Sequence, residues 1–378
     1  MVGGGKDAFI GAVHRIAANM DGLTELCCGC FSSNAQTSAE SGRALFLPED
    51  RIYSSYREMF RAEAALPASV RMDFVTIVTP NHAHFEPVMM ALNHGFHVVI
   101  DKPISFTTAE AKEIEQKVIA TGLLLCLTHT YSGYPLVKHA RKLVADGELG
   151  TIRKIYVEYP QGWLSRPEET GHNKQASWRT DPARSGKSGC MGDIGTHAAH
   201  LAEYISGLQI TRLCADLNTV VAGRQLDDDG AVLLKFENGA SGVLIASQVA
   251  AGEENPLSIR VYGTEGGLEW HQMEPNTLTL KWLDKPTQVL RTGGPGLSEA
   301  ASLNTRTPGG HPEGYLEAFA NLYRNFCLKL SAVLEGGPAP SPYQDFPDAA
   351  DGVRGMAFID KVVESGLSAQ KWTDFTID

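Results

Sequence analysis

The rhythm of apolar and polar positions changes once along the chain, and that change divides it. Over the first third, short apolar runs alternate with segments of helical periodicity: 9–20 reads as a helix and 26–31 as a strand. Residues 74–78, Phe-Val-Thr-Ile-Val, form an unbroken run of the kind found in a strand covered on both faces. A helix over 84–94, closed by Gly95, leads to a strand over 97–100. A helix over 107–120, with a threonine at its start and Thr121-Gly122 at its end, leads to a strand over 123–127. This alternation predicts a parallel sheet with helices on both faces.

Beyond a helix over 135–145, strands are expected at 152–159, 213–220, 231–236, 241–250, 258–262 and 277–282. Glu237-Asn238-Gly239 is a hairpin signal. No helical pattern separates the strands after Asp227, so the second sheet is expected to be largely antiparallel. Segment 293–310, rich in Gly, Pro and Ser, reads as a long exposed or active-site loop, and helices over 312–334 and 348–365 close the chain. The fold class is an α/β dinucleotide-binding domain of residues 1–128 and an α+β domain of residues 129–378. The second carries a large, mostly antiparallel open sheet, and its last helices are expected to pack back on the first.

Composition narrows the function. With 378 residues the chain suits two cores rather than one. A net charge of -11 argues against nucleic acid as a partner, because phosphate binding needs clustered Lys and Arg. No apolar run is long enough to span a bilayer and the start lacks a signal-peptide pattern, so a cytoplasmic location is the expectation. Seven cysteines show no disulfide framework; Cys27, Cys28 and Cys30 lie in an apolar run without a second ligand pair, so no metal is expected.

The chemistry starts at Gly3-Gly4-Gly5-Lys6-Asp7-Ala8, which fits G-x-G-x-x-A at the start of a helix. Gly3, Gly5 and Ala8 let backbone approach a pyrophosphate, and the helix N-terminus supplies unpaired N–H groups. Only Met1 and Val2 precede the motif, and an upstream stretch of the first strand is expected. Where an acidic residue would bind the ribose of NAD, Ser32 and Ser33 stand with no adjacent Arg, which leaves NAD and NADP both open. Thr79-Pro80-Asn81 and Asp101-Lys102-Pro103 each end a strand at the carboxyl edge, where ligands bind in open α/β sheets.

Farther on, Asp193 and His197 stand four residues apart in Gly192-Asp193-Ile194-Gly195-Thr196-His197. A helix there carries Ile194, Ala198, Leu201 and Ile205 on one stripe and Asp193, His197, His200 and Tyr204 on another. Together with Lys102, the second stripe suits proton transfer to or from a hydroxyl.

This ordered set of motifs, with Trp178-Arg179 and Asp181-Pro182, resembles the glucose–fructose oxidoreductase and inositol dehydrogenase superfamily, Gfo/Idh/MocA, over nearly the whole chain. The resemblance implies a Rossmann domain, an open-sheet domain that mediates a dimer or tetramer, and NAD(P)-dependent chemistry on a sugar or cyclitol carbon. It implies Lys102, Asp193 and His197 as catalytic residues. Cofactor contacts are expected from Gly3, Gly5, Ala8, Phe9, Ile10, Ser32, Ser33, Thr79, Pro80, Asn81, His84, Asp101, Lys102, His129, Trp178 and Arg179. Substrate contacts are expected from Lys102, Tyr131, Tyr134, Gln161, Trp163, Asp193, His197 and His311, with Tyr159 and Trp178 as further candidates to stack on a sugar ring. Asp101 departs from the family's usual glutamate, and His129-Thr130-Tyr131 from an asparagine-containing turn. His311 has an equally good reading as a helix start, with Pro312 in the first turn.

In the expected reaction a secondary hydroxyl of a neutral cyclic polyol or pyranose is oxidised with NAD. His197 or Lys102 takes the proton, Lys102 stabilises charge on oxygen, and Asp193 orients the imidazole or holds a neighbouring hydroxyl. Rival readings are a lyase or epimerase that recycles bound NAD, and a non-catalytic dinucleotide-binding regulator, which would have no need of the proton-transfer set.

Overall fold

The computed structural model describes residues 1–6, 8–171, 173–338 and 340–377. Asp7, inside the glycine motif, lies outside them. Two compact units are defined, one of residues 1–130 with 315–353 and one of 131–314 with 354–378.

The first unit is built on a four-stranded parallel sheet in the order β1 (Val2–Gly3), β2 (Phe74–Val78), β3 (His97–Ile100), β4 (Leu125–Leu127). The apolar runs of the sequence are its buried strands. The expected strand over 26–31 is instead an extended segment with single bridges, Cys30 to Val2 and Gly29 to Ile52. A ladder needs consecutive pairs, and its neighbour Val2–Gly3 is only two residues long. Two polar helices, Ala35–Ala44 and Tyr56–Ala65, follow it. Helix Thr108–Thr121 has a capping box between Thr107 and Glu110 and a left-handed Gly122 at its end, as its sequence required.

Helix Tyr315–Glu335 packs on helix Phe9–Asn19 in this unit. Phe319, Leu322, Tyr323, Phe326 and Leu330 recur at helical spacing and share one buried cluster with Val13, Ala17, Val99 and Cys126. Truncating Phe326, fully buried there, to Ala would cost about 3–5 kcal/mol.

The second unit holds a nine-stranded sheet. Its strands are β5 (Lys154–Pro160), β6 (Ile210–Asn218), β7 (Asp229–Phe236), β8 (Ser241–Ser247), β9 (Ser258–Tyr262), β10 (Gly266–His271), β11 (Thr277–Trp282), β12 (Gln288–Arg291) and β13 (Thr373–Asp374). They lie in the order β12-β11-β10-β9-β5-β8-β7-β6-β13, and every pairing is antiparallel except β5 with β8. Gly239, with φ of 88°, makes the expected hairpin between β7 and β8. Alternate residues such as Ile155, Val157, Leu244, Ile259 and Leu268 are buried on one face, which helices Pro135–Ala145 and Thr196–Ser206 cover.

Three local expectations are corrected. The last long helix of the 310s begins at Tyr315, not Pro312, because Glu313 turns inward to bind the backbone of Arg306 and Thr307. The loop over 293–310 contains the short helix Glu299–Ser302, whose Ser298 cap is also 2.9 Å from His139 Nδ1. Asp193 lies on a π-helical turn, Met191–Gly195, that runs into the α-helix Thr196–Ser206. Among the described residues no helix is long and apolar enough to cross a membrane.

Candidate active site

The glycine loop of the first unit is built for close approach. Gly3 and Gly4 have φ of 80° and 70°, which suits glycine, and Gly5 N donates to Phe31 O at 3.2 Å. A Cβ on Gly11 would stand 2.3 Å from Gly4 Cα, so the first helix packs backbone to backbone on the loop. Helix Phe9–Asn19 has no side-chain cap hydrogen bond at Ala8, so its first-turn N–H groups take no N-cap acceptor. A glycine turn running into a helix start is the geometry that suits a pyrophosphate, and Gly3, Gly5, Ala8, Phe9 and Ile10 belong to that turn and helix start. Ser33 is exposed and Ser32 partly so at the end of the Cys30 segment, with Ser32 Oγ accepting from Asn34 N.

At the carboxyl edge of the sheet, Thr79 Oγ1 donates to Ala83 O, and Asn81 opens a short 3-10 turn. His84, expected to touch the cofactor, is buried, with Nδ1 2.6 Å from Pro103 O and Nε2 2.7 Å from Thr79 O. Both ring nitrogens thus face carbonyl oxygens, the neutral ring donating to one of them, and the residue braces the two strand-end loops. Burial lowers its pKa.

Asp101 caps its own turn, accepting from Lys102 N and from Thr128 Oγ1. Its Oδ1 also lies 4.0 Å from Nε2 of the buried His14, whose Nδ1 is 2.7 Å from Tyr323 Oη. Burial pushes the Asp101 carboxyl up, but His14, with Lys102 and His84, more than offsets this and brings it down to about 2. Lys102 and His129 lie in these loops, Lys102 partly exposed and His129 buried.

The second unit gathers a polar and aromatic cluster. Tyr131 Oη hydrogen-bonds Tyr159 Oη, Tyr159 Oη donates to Asn255 Oδ1 at 2.7 Å, and Asn255 Nδ2 donates back to Tyr131 at 3.3 Å. Gln161 Nε2 donates to Asn255 at 2.6 Å, and Trp163 Nε1 donates to Gln161 at 3.0 Å. The His197 ring meets Tyr131 edge-on at 5.0 Å. Asp193 Oδ2 accepts from Arg179 Nε at 3.0 Å and from Gln248 Nε2 at 2.9 Å. The Arg179 guanidinium lies over Trp178 at 4.2 Å and near Trp163 at 5.8 Å.

Tyr131, Gln161, Trp163, Asp193 and His197 are thus brought together. Arg179, expected on the cofactor side, joins them because its guanidinium is committed to Asp193. Tyr134 is core: buried, stacked on Tyr131 and tilted against Trp270 at 5.2 Å. His311 is exposed in its own loop, with Nδ1 3.2 Å from Pro308 O. Asn255 and Gln248 were missed; Gln248 follows β8 and Asn255 lies in the loop before β9, and no spacing ties either to Asp193. Among the described residues no group of three or more His, Cys, Asp or Glu side chains could hold a metal ion.

A parallel sheet with this glycine cradle, joined to a second unit rich in proton-transfer groups, defines a nicotinamide-dependent oxidoreductase. Residues 1–129 match the profile of the oxidoreductase family with an NAD-binding Rossmann fold, and residues 137–269 match the Gfo/Idh/MocA C-terminal domain. An uncharacterized oxidoreductase, YfiI, of Bacillus subtilis is 32% identical over 99% of this chain and 96% of its own. An inositol dehydrogenase homologue of Azotobacter vinelandii, solved with NAD+, superposes with a TM-score of 0.94 at 36% identity, covering 99% of this chain and 96% of that one. An inositol dehydrogenase homologue of Azotobacter vinelandii solved with NADH and myo-inositol gives 0.91 at 34% identity, covering 99% and 96%. An oxidoreductase of Sinorhizobium meliloti gives 0.87 at 42% identity, covering 99% and 98%. The chain belongs to the Gfo/Idh/MocA family of oxidoreductases, and its first unit is an NAD-binding Rossmann domain.

Proposed function

We propose that this enzyme is a dehydrogenase that oxidises a secondary hydroxyl of a neutral cyclic polyol or pyranose, with Lys102, Asp193 and His197 handling the proton. The observation that carries this reading is the cluster of the second unit. Tyr131, Tyr159, Asn255 and Gln161 offer alternating donors and acceptors beside the Trp163 and Trp178 rings, a surface suited to a ring of hydroxyls. The Arg179–Asp193 pair cancels its own charge, which suits a neutral ligand better than a phosphate or carboxylate. The myo-inositol complex of the Azotobacter homologue supports the same class.

In this reading the glycine cradle and the Thr79 and Lys102 loops hold NAD, which supplies the hydride acceptor. Lys102 donates a hydrogen bond to the reacting oxygen and stabilises charge there. His197, an imidazole able to exchange a proton, takes the hydroxyl proton or passes it on. Asp193, held by two donors, accepts a hydrogen bond from the substrate or from His197. A weak preference for NAD over NADP follows from Ser32 and Ser33, which offer no cation to a 2′-phosphate.

The test is a panel of inositols, aldohexoses and glycosides with NAD and NADP, followed at 340 nm in both directions. Lys102→Met and His197→Ala should keep NADH binding and lose kcat by roughly 10²-fold. A higher kcat/KM for a sugar phosphate or aldonate than for every neutral member overturns the substrate class.

A further inference from the structure

The π turn that carries Asp193 is gripped at its entrance by a carboxylate with no part in the reaction. Asp227 Oδ1 accepts from Ser188 Oγ at 2.8 Å and from Gly189 N at 2.9 Å, and Oδ2 accepts from Met191 N at 2.8 Å. The Asp227 carbonyl accepts from Cys190 N at 2.8 Å, and Ser188 Oγ in turn accepts from Gly192 N at 2.9 Å. Every backbone N–H from 189 to 192 is therefore held by Asp227 directly or through Ser188. The fit is close: a Cβ on Gly189 would stand 2.3 Å from the Asp227 carbonyl oxygen.

This grip has a geometric consequence. The turn Met191–Gly195 carries an i to i+5 bond, from Thr196 N to Met191 O, before the regular helix begins. Such turns are rare and need outside support. Relaxing one to α-helical pitch shifts the preceding residues by about 100° around the axis for each residue of register. Asp193 would then swing away from Arg179 and Gln248, while His197, inside the helix, would stay.

We propose that Asp227 is the positioning residue for Asp193. It satisfies the amides at the start of the π turn and so fixes the direction of the Asp193 carboxylate. The proposal rests on the reading above, in which Asp193 touches substrate.

Asp227→Asn tests it, since one oxygen becomes an NH2 group facing a backbone N–H. Deuterium uptake at the amides of residues 189–193 should rise at least tenfold. With the neutral polyol of highest kcat/KM in the panel above, kcat/KM should fall 10- to 100-fold, while the Kd for NADH stays within twofold. Combining Asp227→Asn with Asp193→Asn should add less than a further twofold loss, because the clamp acts only through Asp193. If Asp227→Asn does not fold, Ser188→Ala, which removes one donor to Asp227 and the acceptor for Gly192 N, takes its place with the same readouts and a three- to tenfold loss.

Wild-type uptake and kcat/KM in the clamp variant, or full additivity with Asp193→Asn, overturns the proposal. Normal turnover by Asp193→Asn alone overturns the site reading. A dead Asp193→Asn beside a normal Asp227→Asn removes only the clamp.

Discussion

Arg179 Nε donates to Asp193 Oδ2 at 3.0 Å, and its Nη1 donates to Gln175 Oε1 at 2.5 Å, so the guanidinium is held from two sides while its face lies on Trp178. Both partners are mostly shielded, with side-chain exposures of 23% and 15%, so the pair is not a loose surface bridge. Arg179→Met should remove the Arg179 donor from Asp193 while the Gln248 donor stays. The expected outcome is a rise in KM for the polyol and a fall in kcat/KM of roughly tenfold or more, with NADH affinity unchanged. Arg179→Lys should rescue only partly, because one ammonium cannot reproduce the Asp193 and Gln175 contacts together. A tenfold loss of NADH affinity in Arg179→Met would return this residue to the cofactor side.

Gly11 and Gly4 meet backbone to backbone, and no side chain can yield there. Gly11→Ala should force the glycine loop away from the first helix at a cost of about 1–3 kcal/mol. NADH affinity, read by fluorescence titration, should drop roughly tenfold. Gly22→Ala is the control: it has φ of 65° and open space around it, so it should lower Tm slightly and leave NADH binding intact. Equal NADH affinities in the two variants would show that the Gly4–Gly11 contact does not shape the cradle.

How much of this was legible follows from the kind of signal each element carries. Helix Pro135–Ala145 could be read to the residue, because Pro135 opens it and its apolar stripe is continuous. Helix Ala35–Ala44 could not: Ala-Gln-Thr-Ser-Ala-Glu-Ser-Gly-Arg-Ala has no apolar stripe, and it is held by the Asn34 cap and by buried Ser38 and Ser41. Strand Gly266–His271 begins with two glycines and is recruited by its neighbours on both sides, a tertiary effect. Lys102, Asp193 and His197 stood out as motif residues. The π turn did not, since four-residue spacing looks the same in either helix, and Gln248 and Asn255 reach the site only through the sheet.

The Asp101 carboxyl gives a pH prediction with a definite sign. Its pKa in the fold, about 2, lies below the ordinary 3.8, so the charged form is favoured by folding. The resulting stability is complete above about pH 4 and is lost as pH falls toward 2, a contribution on the order of 2 kcal/mol. Asp101→Asn should therefore be less stable than the wild type at pH 5, and the gap should close on acidification. Urea unfolding between pH 5 and pH 2.5 measures this; a gap that stays constant would mean that the His14 and Lys102 environment does not favour the carboxylate.

The outer face of the nine-stranded sheet leads to the last prediction. Register places Cys214, Leu233, Val243, Tyr156 and Arg260 in one row across β6, β7, β8, β5 and β9. Leu233 is 45% exposed and Ile245 38% exposed, on the side opposite the face covered by helices Pro135–Ala145 and Thr196–Ser206. Arg260 lies over Tyr156 at 5.0 Å and pairs with Glu158 at 2.5 Å, which gives the row a polar edge beside its apolar centre. An apolar centre with a charged rim is the composition of a protein interface, and a sheet face of this extent suits a second copy of itself. The expected state is a dimer or tetramer, with a mass by light scattering well above the 40.8 kDa chain at micromolar concentration. Leu233→Lys together with Ile245→Lys should shift that mass toward the monomer while the Rossmann unit still binds NADH. A monomeric wild type, or an oligomer indifferent to both lysines, would rule this face out as the contact.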